Sequence, residues 1–198
     1  MKILGIIPAR IGSKGVPKKN IKVLGDKPLV RYTIDAAKNA IGLDEIMIST
    51  DSEEIANIGI NLGISAPFIR SKELAQDKTP MVDVIKDILN YYERIKVLYD
   101  AFLLLQPTVP FRSKKVISAS IKKYKSLNSN ETLISVRKVP SKYNPNWVFF
   151  VNDKNRTLSV STRVNEIISR RQDLPNAYYR DGDIYIFSSE TIKKKESI

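Results

Sequence analysis

Short apolar runs alternate with stretches of helical periodicity along most of this chain, and few architectures accept that order. The runs at 2–8, 45–50, 66–70, 101–106 and 131–137 read as strands, and the segments near 28–41, 52–62, 80–97 and 113–126 read as helices. Apolar strands separated by helices predict a doubly wound, mostly parallel α/β sheet covered on both faces. Ser52 is a candidate N-cap of the second helix, with Glu53 and Glu54 in its first turn, and capping is the expected role of Asp51 or Ser52. Thr79 is the candidate cap of the third helix, with Pro80 in the first turn. Such sheets bind ligands outside the carboxyl ends of their strands, so the ends of the first four strands are expected to surround one crevice. After residue 138 the alternation stops. Residues 146–151 and 157–161 read as a hairpin, and Asp183-Ile184-Tyr185-Ile186-Phe187 as a returning core strand.

The first strand runs into Pro8-Ala9-Arg10-Ile11-Gly12-Ser13-Lys14-Gly15-Val16-Pro17-Lys18-Lys19-Asn20. Gly12 and Gly15 are expected to let the backbone turn tightly and approach a ligand. Residues 1–31 hold eight Lys/Arg and a single acid, Asp26. Crowded cations repel one another unless an anion joins them, so this loop reads as a polyphosphate site. It is neither G-x-x-x-x-G-K-[ST] nor G-x-G-x-x-G. The bland reading is a surface turn with lysines in solvent.

Composition removes several chemistries. The 198 residues suit one α/β domain. The chain has no cysteine and no histidine, which excludes disulfides, thiolate nucleophiles, Ser-His-Asp triads and His or Cys metal sites. Any metal must sit on oxygen ligands, which points to magnesium or a similar hard cation. A formal charge of +12 calls for an anionic partner, either nucleic acid or a small polyanion. Lys114, Lys115, Lys122, Lys123 and Lys125 read as the solvated face of one helix. No apolar run approaches the length of a membrane span, no signal peptide is visible, and a cytoplasmic location is expected.

Residues 7–20 resemble the opening motif of the CMP-sialic acid synthetases, the acylneuraminate cytidylyltransferases, close to I-P-A-R-x-G-S-K-G-x-x-x-K-N. The related CMP-KDO synthetases carry a different loop. Further segments resemble the same family in the same order. Ser49-Thr50-Asp51 with Ile55-Ala56 is similar to S-T-D-x-x-x-I-A, and Arg70-Ser71-Lys72-Glu73-Leu74-Ala75 to R-x-x-E-L-A. Asp77-Lys78-Thr79 precedes a helix as in that family, and Leu104-Leu105-Gln106-Pro107-Thr108-Val109-Pro110-Phe111-Arg112 is similar to L-L-Q-P-T-S-P-L-R. Arg171-Gln172-Asp173-Leu174-Pro175 and Asp181-Gly182-Asp183-Ile184-Tyr185 resemble R-Q-x-L-P and N-G-x-I-Y.

The resemblance implies a Rossmann-like sheet of the nucleotide-diphospho-sugar transferase type. It implies one domain, 1–198, with a dimerisation insertion at 140–165, and a homodimer. The implied activity transfers CMP from CTP to the anomeric hydroxyl of a sialic-acid-like nonulosonic acid, with Mg2+ and release of pyrophosphate. Arg10, Lys14 and Lys19 would carry the catalysis. Arg10, Ser13, Lys14, Lys19 and Asn20 would hold the triphosphate, and Ala9, Gly12, Arg70, Asp77 and Thr79 would complete the CTP site. Gln106, Arg171, Gln172 and Tyr185 would face the sugar acid. The alternative is a Gln106 paired to the backbone.

Two departures stand out. Asp181 replaces the usual asparagine, and the family's D-x-D metal motif, which lies beyond the I-Y strand, is absent from residues 188–198. The metal ligands are therefore unassigned, and the chain is expected to continue past Ile198. The alternatives are a CMP-KDO-type synthetase and a non-catalytic basic module for nucleotides or nucleic acid.

Overall fold

The computed structural model describes residues 1–127, 131–162 and 167–194. They fall into two compact units, Met1–Ile134 with Gly182–Ile198, and Ser135–Asp181. The first contains β1 (Ile3–Pro8), β2 (Val23–Leu24), β3 (Lys27–Pro28), α1 (Leu29–Lys38), β4 (Glu45–Ser49), α2 (Glu53–Asn61), α3 (Met81–Arg94), β5 (Ala101–Leu104) and α4 (Lys114–Lys125). β6 (Leu133–Lys138) begins there and ends in the second unit, which holds the hairpin β7 (Phe149–Asn152) and β8 (Thr157–Val160). β9 (Tyr178–Ser188) returns to the first unit, where α5 (Ser189–Lys194) follows.

The central sheet has the order β4-β1-β5-β9-β6. β1 is parallel to both β4 and β5, whereas β9 is antiparallel to β5, with Leu104 opposite Tyr185. Alternation of side chains along each strand divides the core into two layers. Ile3 and Ile7 of β1 and Leu103 of β5 meet Val30 and Ile34 of α1 and Ile117 and Ile121 of α4. Leu4 and Ile6 of β1 and Phe102 of β5 meet Ile85 and Ile88 of α3 and Ile192 of α5. Helices thus cover both faces, which explains why β1 is buried at every position. No helix among the described residues is long and apolar enough to cross a membrane.

Four expectations are corrected. Residues 66–70 form no strand: Ser65 bridges Met47, Arg70 N–H reaches the Thr50 carbonyl, and Pro67 lacks the N–H a ladder needs. Ser52 stands at the head of α2 without a side-chain cap bond, and Asp51 Oδ1 instead accepts the Ile11 N–H at 2.8 Å. Pro80 takes the cap position of α3, and the Thr79 hydroxyl donates to the Glu73 carbonyl. Lys18, not Gly12 or Gly15, has left-handed backbone (φ 52°), and added Cβ atoms on those two glycines would meet nothing within 4 Å. Gly15 nonetheless lies in the bend at residues 14–16.

Candidate active site

β1, β4 and β5 end on one side of the sheet, and the segments that follow them enclose a cleft of about 440 Å3. Arg10, Lys14, Lys19 and Arg70 line it, and among the described residues no acidic one does. Ser13, Asn20 and Gln106 supply neutral polar groups, and Met81 brings the amino end of α3 to the rim. Four cations and the positive end of a helix make a low-energy place for a polyanion.

The loop is held open for that role by its own bonds. Asn20, buried, donates from Nδ2 to the Arg10 carbonyl at 2.7 Å. Asp51 pins Ile11 from the end of β4. Arg10 reaches the Ala75 carbonyl at 3.3 Å and Asp77 Oδ1 at 2.5 Å, while Lys14 Nζ lies 3.0 Å from Asp77 Oδ2. Lys14 and Arg10 hold the Asp77 carboxyl below the usual carboxylate range. Asp77 is therefore an internal counter-ion to the two cations and contributes no surface to the cleft. Arg70 is 5% exposed, and burial lowers its pKa to about 10. Its Nε and Nη2 donate to Ser49 Oγ at 3.1 Å and the Ser49 carbonyl at 2.5 Å.

Of the residues expected at the site, Arg10, Ser13, Lys14, Lys19, Asn20, Arg70 and Gln106 meet in this cleft. Ala9 is fully buried in a core layer, and Gly12 and Thr79 do not line the cleft. Tyr185 packs against the α3 core layer. Arg171 and Gln172 line a separate cleft within the second unit, about 400 Å3, with Lys138, Ser141 and Asn144, and Arg171 Nε donates to Ser141 Oγ at 3.1 Å. Sequence reasoning missed Thr108 and Met81 as lining residues, although Thr108 lies inside the Gln-Pro-Thr segment. It also missed Asp51 and Asn20 as braces of the loop, which no local pattern announces. Among the described residues no cluster of three or more acidic side chains offers a metal site. Both oxygens of Asp77 are already taken by cations.

A cytidylyltransferase family model matches residues 4–197. Over the whole chain, it is 33% identical to CMP-N,N'-diacetyllegionaminic acid synthase of Legionella pneumophila, covering 82% of that protein. It is 31% identical to pseudaminic acid cytidylyltransferase of Campylobacter jejuni, again over the whole chain and 83% of the relative. An N-acylneuraminate cytidylyltransferase of Streptococcus agalactiae is 36% identical, the chain covering 46% of it. Among solved structures, a CMP:2-keto-3-deoxy-manno-octonic acid synthetase complexed with CTP superposes with a TM-score of 0.73 at 17% identity, covering 98% of this chain and 76% of that one. A 4-diphosphocytidyl-2C-methyl-D-erythritol synthase of Anaerococcus prevotii gives 0.54 at 18% identity, over 96% and 72%. These two likenesses concern the fold.

Proposed function

The chain belongs to the cytidylyltransferase family, and from that premise we propose that it transfers CMP from CTP to the anomeric hydroxyl of a sialic-acid-like nonulosonic acid. The cleft lined by Arg10, Lys14, Lys19 and Arg70 carries this reading. In the reaction the hydroxyl oxygen bonds to the α-phosphorus, the bond to the β-phosphate oxygen breaks, the hydroxyl proton is released and pyrophosphate departs. Such a displacement depends on alignment and charge neutralisation more than on covalent chemistry, which suits a chain without histidine or cysteine.

Lys14 is 80% exposed at its side chain, and so is free to move from Asp77 onto the triphosphate. Arg10 and Lys19 would share the charge of the departing pyrophosphate, and Ser13 and Asn20 would keep the loop against it. Gln106 offers a carboxamide to the sugar acid. Within the second unit, Arg171 and Gln172 offer a planar cation and an amide suited to a carboxylate and hydroxyls. Magnesium would supply charge neutralisation to the triphosphate. The exposed hairpin residues Phe150, Val151 and Leu158, at 62–64%, support a homodimer buried there. A cysteine-free chain using CTP suits the reducing cytoplasm.

Pyrophosphate release from CTP and magnesium, with a panel of nonulosonic acids and KDO, tests the reading. Release with one sialic-type sugar is expected. Release with KDO alone would transfer the assignment to the CMP-KDO type, and release with none would refute it.

A further inference from the structure

Gln106 enters the cleft from the segment after β5, and something must hold its peptide still for its carboxamide to recognise anything. Arg112, six residues on, does so. Its guanidinium is fully buried, Nη2 donates to the Gln106 carbonyl at 3.1 Å, and Nε donates to Asp183 at both the backbone oxygen (2.8 Å) and Oδ1 (2.6 Å). The same Gln106 carbonyl accepts the Val109 N–H at 3.3 Å, so the segment closes on itself as a ring around one oxygen. Asp183 lies on β9, next to Ile184 of the core, and falls on a free position of the N-G-x-I-Y segment. A buried cation so placed fixes peptide orientation, because any shift of the Gln106 carbonyl breaks a charge-assisted bond that water cannot replace.

We infer that Arg112 is a positioning residue, anchored by Asp183, that aims the Gln106 carboxamide at the acidic sugar. The inference rests on the function proposed above. It predicts a selective effect, since Arg112 itself does not line the cleft and the cations for CTP lie on other segments.

The experiment is a double-mutant cycle read as separate KM values for CTP and for the accepted sugar. Arg112→Lys and the shape-preserving Asp183→Asn are expected to raise the sugar KM by roughly tenfold or more, as misplacement of a contact by about 1 Å does. The KM for CTP should stay within about twofold. In a Gln106→Ala background, neither variant should raise the sugar KM further. Multiplying effects, or equal rises in both KM values, would overturn the inference. Should Arg112→Lys fail to fold, Asp183→Asn carries the cycle. If the wild type releases no pyrophosphate with any acidic sugar, the proposed function fails. The positioning role is then judged from the Gln106 side-chain amide protons by NMR. Displacement in Asp183→Asn supports the role, and an unchanged signal refutes it.

Discussion

Replacing Arg70 with methionine should leave the ligand-free protein about as stable and make its nucleotide complex much weaker. The arginine is 5% exposed, and burial is the main cause that lowers its pKa from 12.5 to about 10, with Asp51 and Asp87 opposing and Arg10 assisting. At about 1.4 kcal/mol per tenfold, that drop is a burden on the order of 3 kcal/mol for holding the charge there. Methionine keeps the length and removes the charge. It also leaves Ser49 without two charged donors, at about 1.5 kcal/mol each or more. The two nearly cancel, so the ligand-free Tm should stay within about 4 °C of the wild type for a chain of this size. CTP at about a hundred times its Kd should stabilise the wild type by about 2.7 kcal/mol, roughly 5–10 °C. Arg70→Met should lose most of that increment. Thermal denaturation of both proteins with and without CTP measures all four values. A fall of more than about 4 °C in the ligand-free variant, or a CTP shift equal to that of the wild type, would refute the argument.

Lys14→Ala should reduce turnover by about 10²-fold, the usual loss when a donor that stabilises developing charge is removed; near-normal turnover would remove this loop from the phosphate site. In Gly59→Ala the new methyl would lie 2.8 Å from Ile48 Cγ2 and 3.2 Å from Ile64 Cγ1, both buried. Overpacking of about 1–3 kcal/mol should outweigh the helix gain of about 1 kcal/mol, and Tm should fall by about 2–4 °C rather than rise. Because Lys14 and Arg10 depress the Asp77 pKa, the pairs stabilise the loop at neutral pH. That support is lost only as the pH falls through a value below the usual one of about 3.9. Hydrogen-exchange protection of Ile11 to Lys14 should therefore hold from pH 8 to about 5, and Asp77→Asn should lower it throughout. Light scattering at micromolar concentration should give a dimer, and Phe150→Asp a monomer.

The parts of the molecule that depend on local pattern were readable from residues alone. Apolar runs located β1, β4 and β5, and the Asp183–Phe187 segment located the buried end of β9. Uneven charge near the amino terminus located the cleft. What escaped depends on contacts between distant residues. Asp51 looks like a helix cap in sequence, yet its partner is Ile11, on the loop after the neighbouring strand β1. Asp77 looks like a ligand contact until Arg10 and Lys14 are seen on its two oxygens. Arg112 and Asp183 meet only because β9 returns beside β5, a pairing that no periodicity encodes. Segment 66–70 has strand composition but contains Pro67, and backbone donors outrank side-chain preference there.

The placement of β9 between β5 and β6 also bears on how the chain is made. Leu104 must wait for Tyr185 before that edge of β5 is paired. At about 5–20 residues per second, a ribosome needs roughly 4–16 s to supply the intervening segment. During that interval an apolar strand edge stands open to other nascent chains. Slower translation across residues 105–184 would lengthen the exposure without altering a single native contact, so the yield of folded protein should depend on codon usage in that stretch.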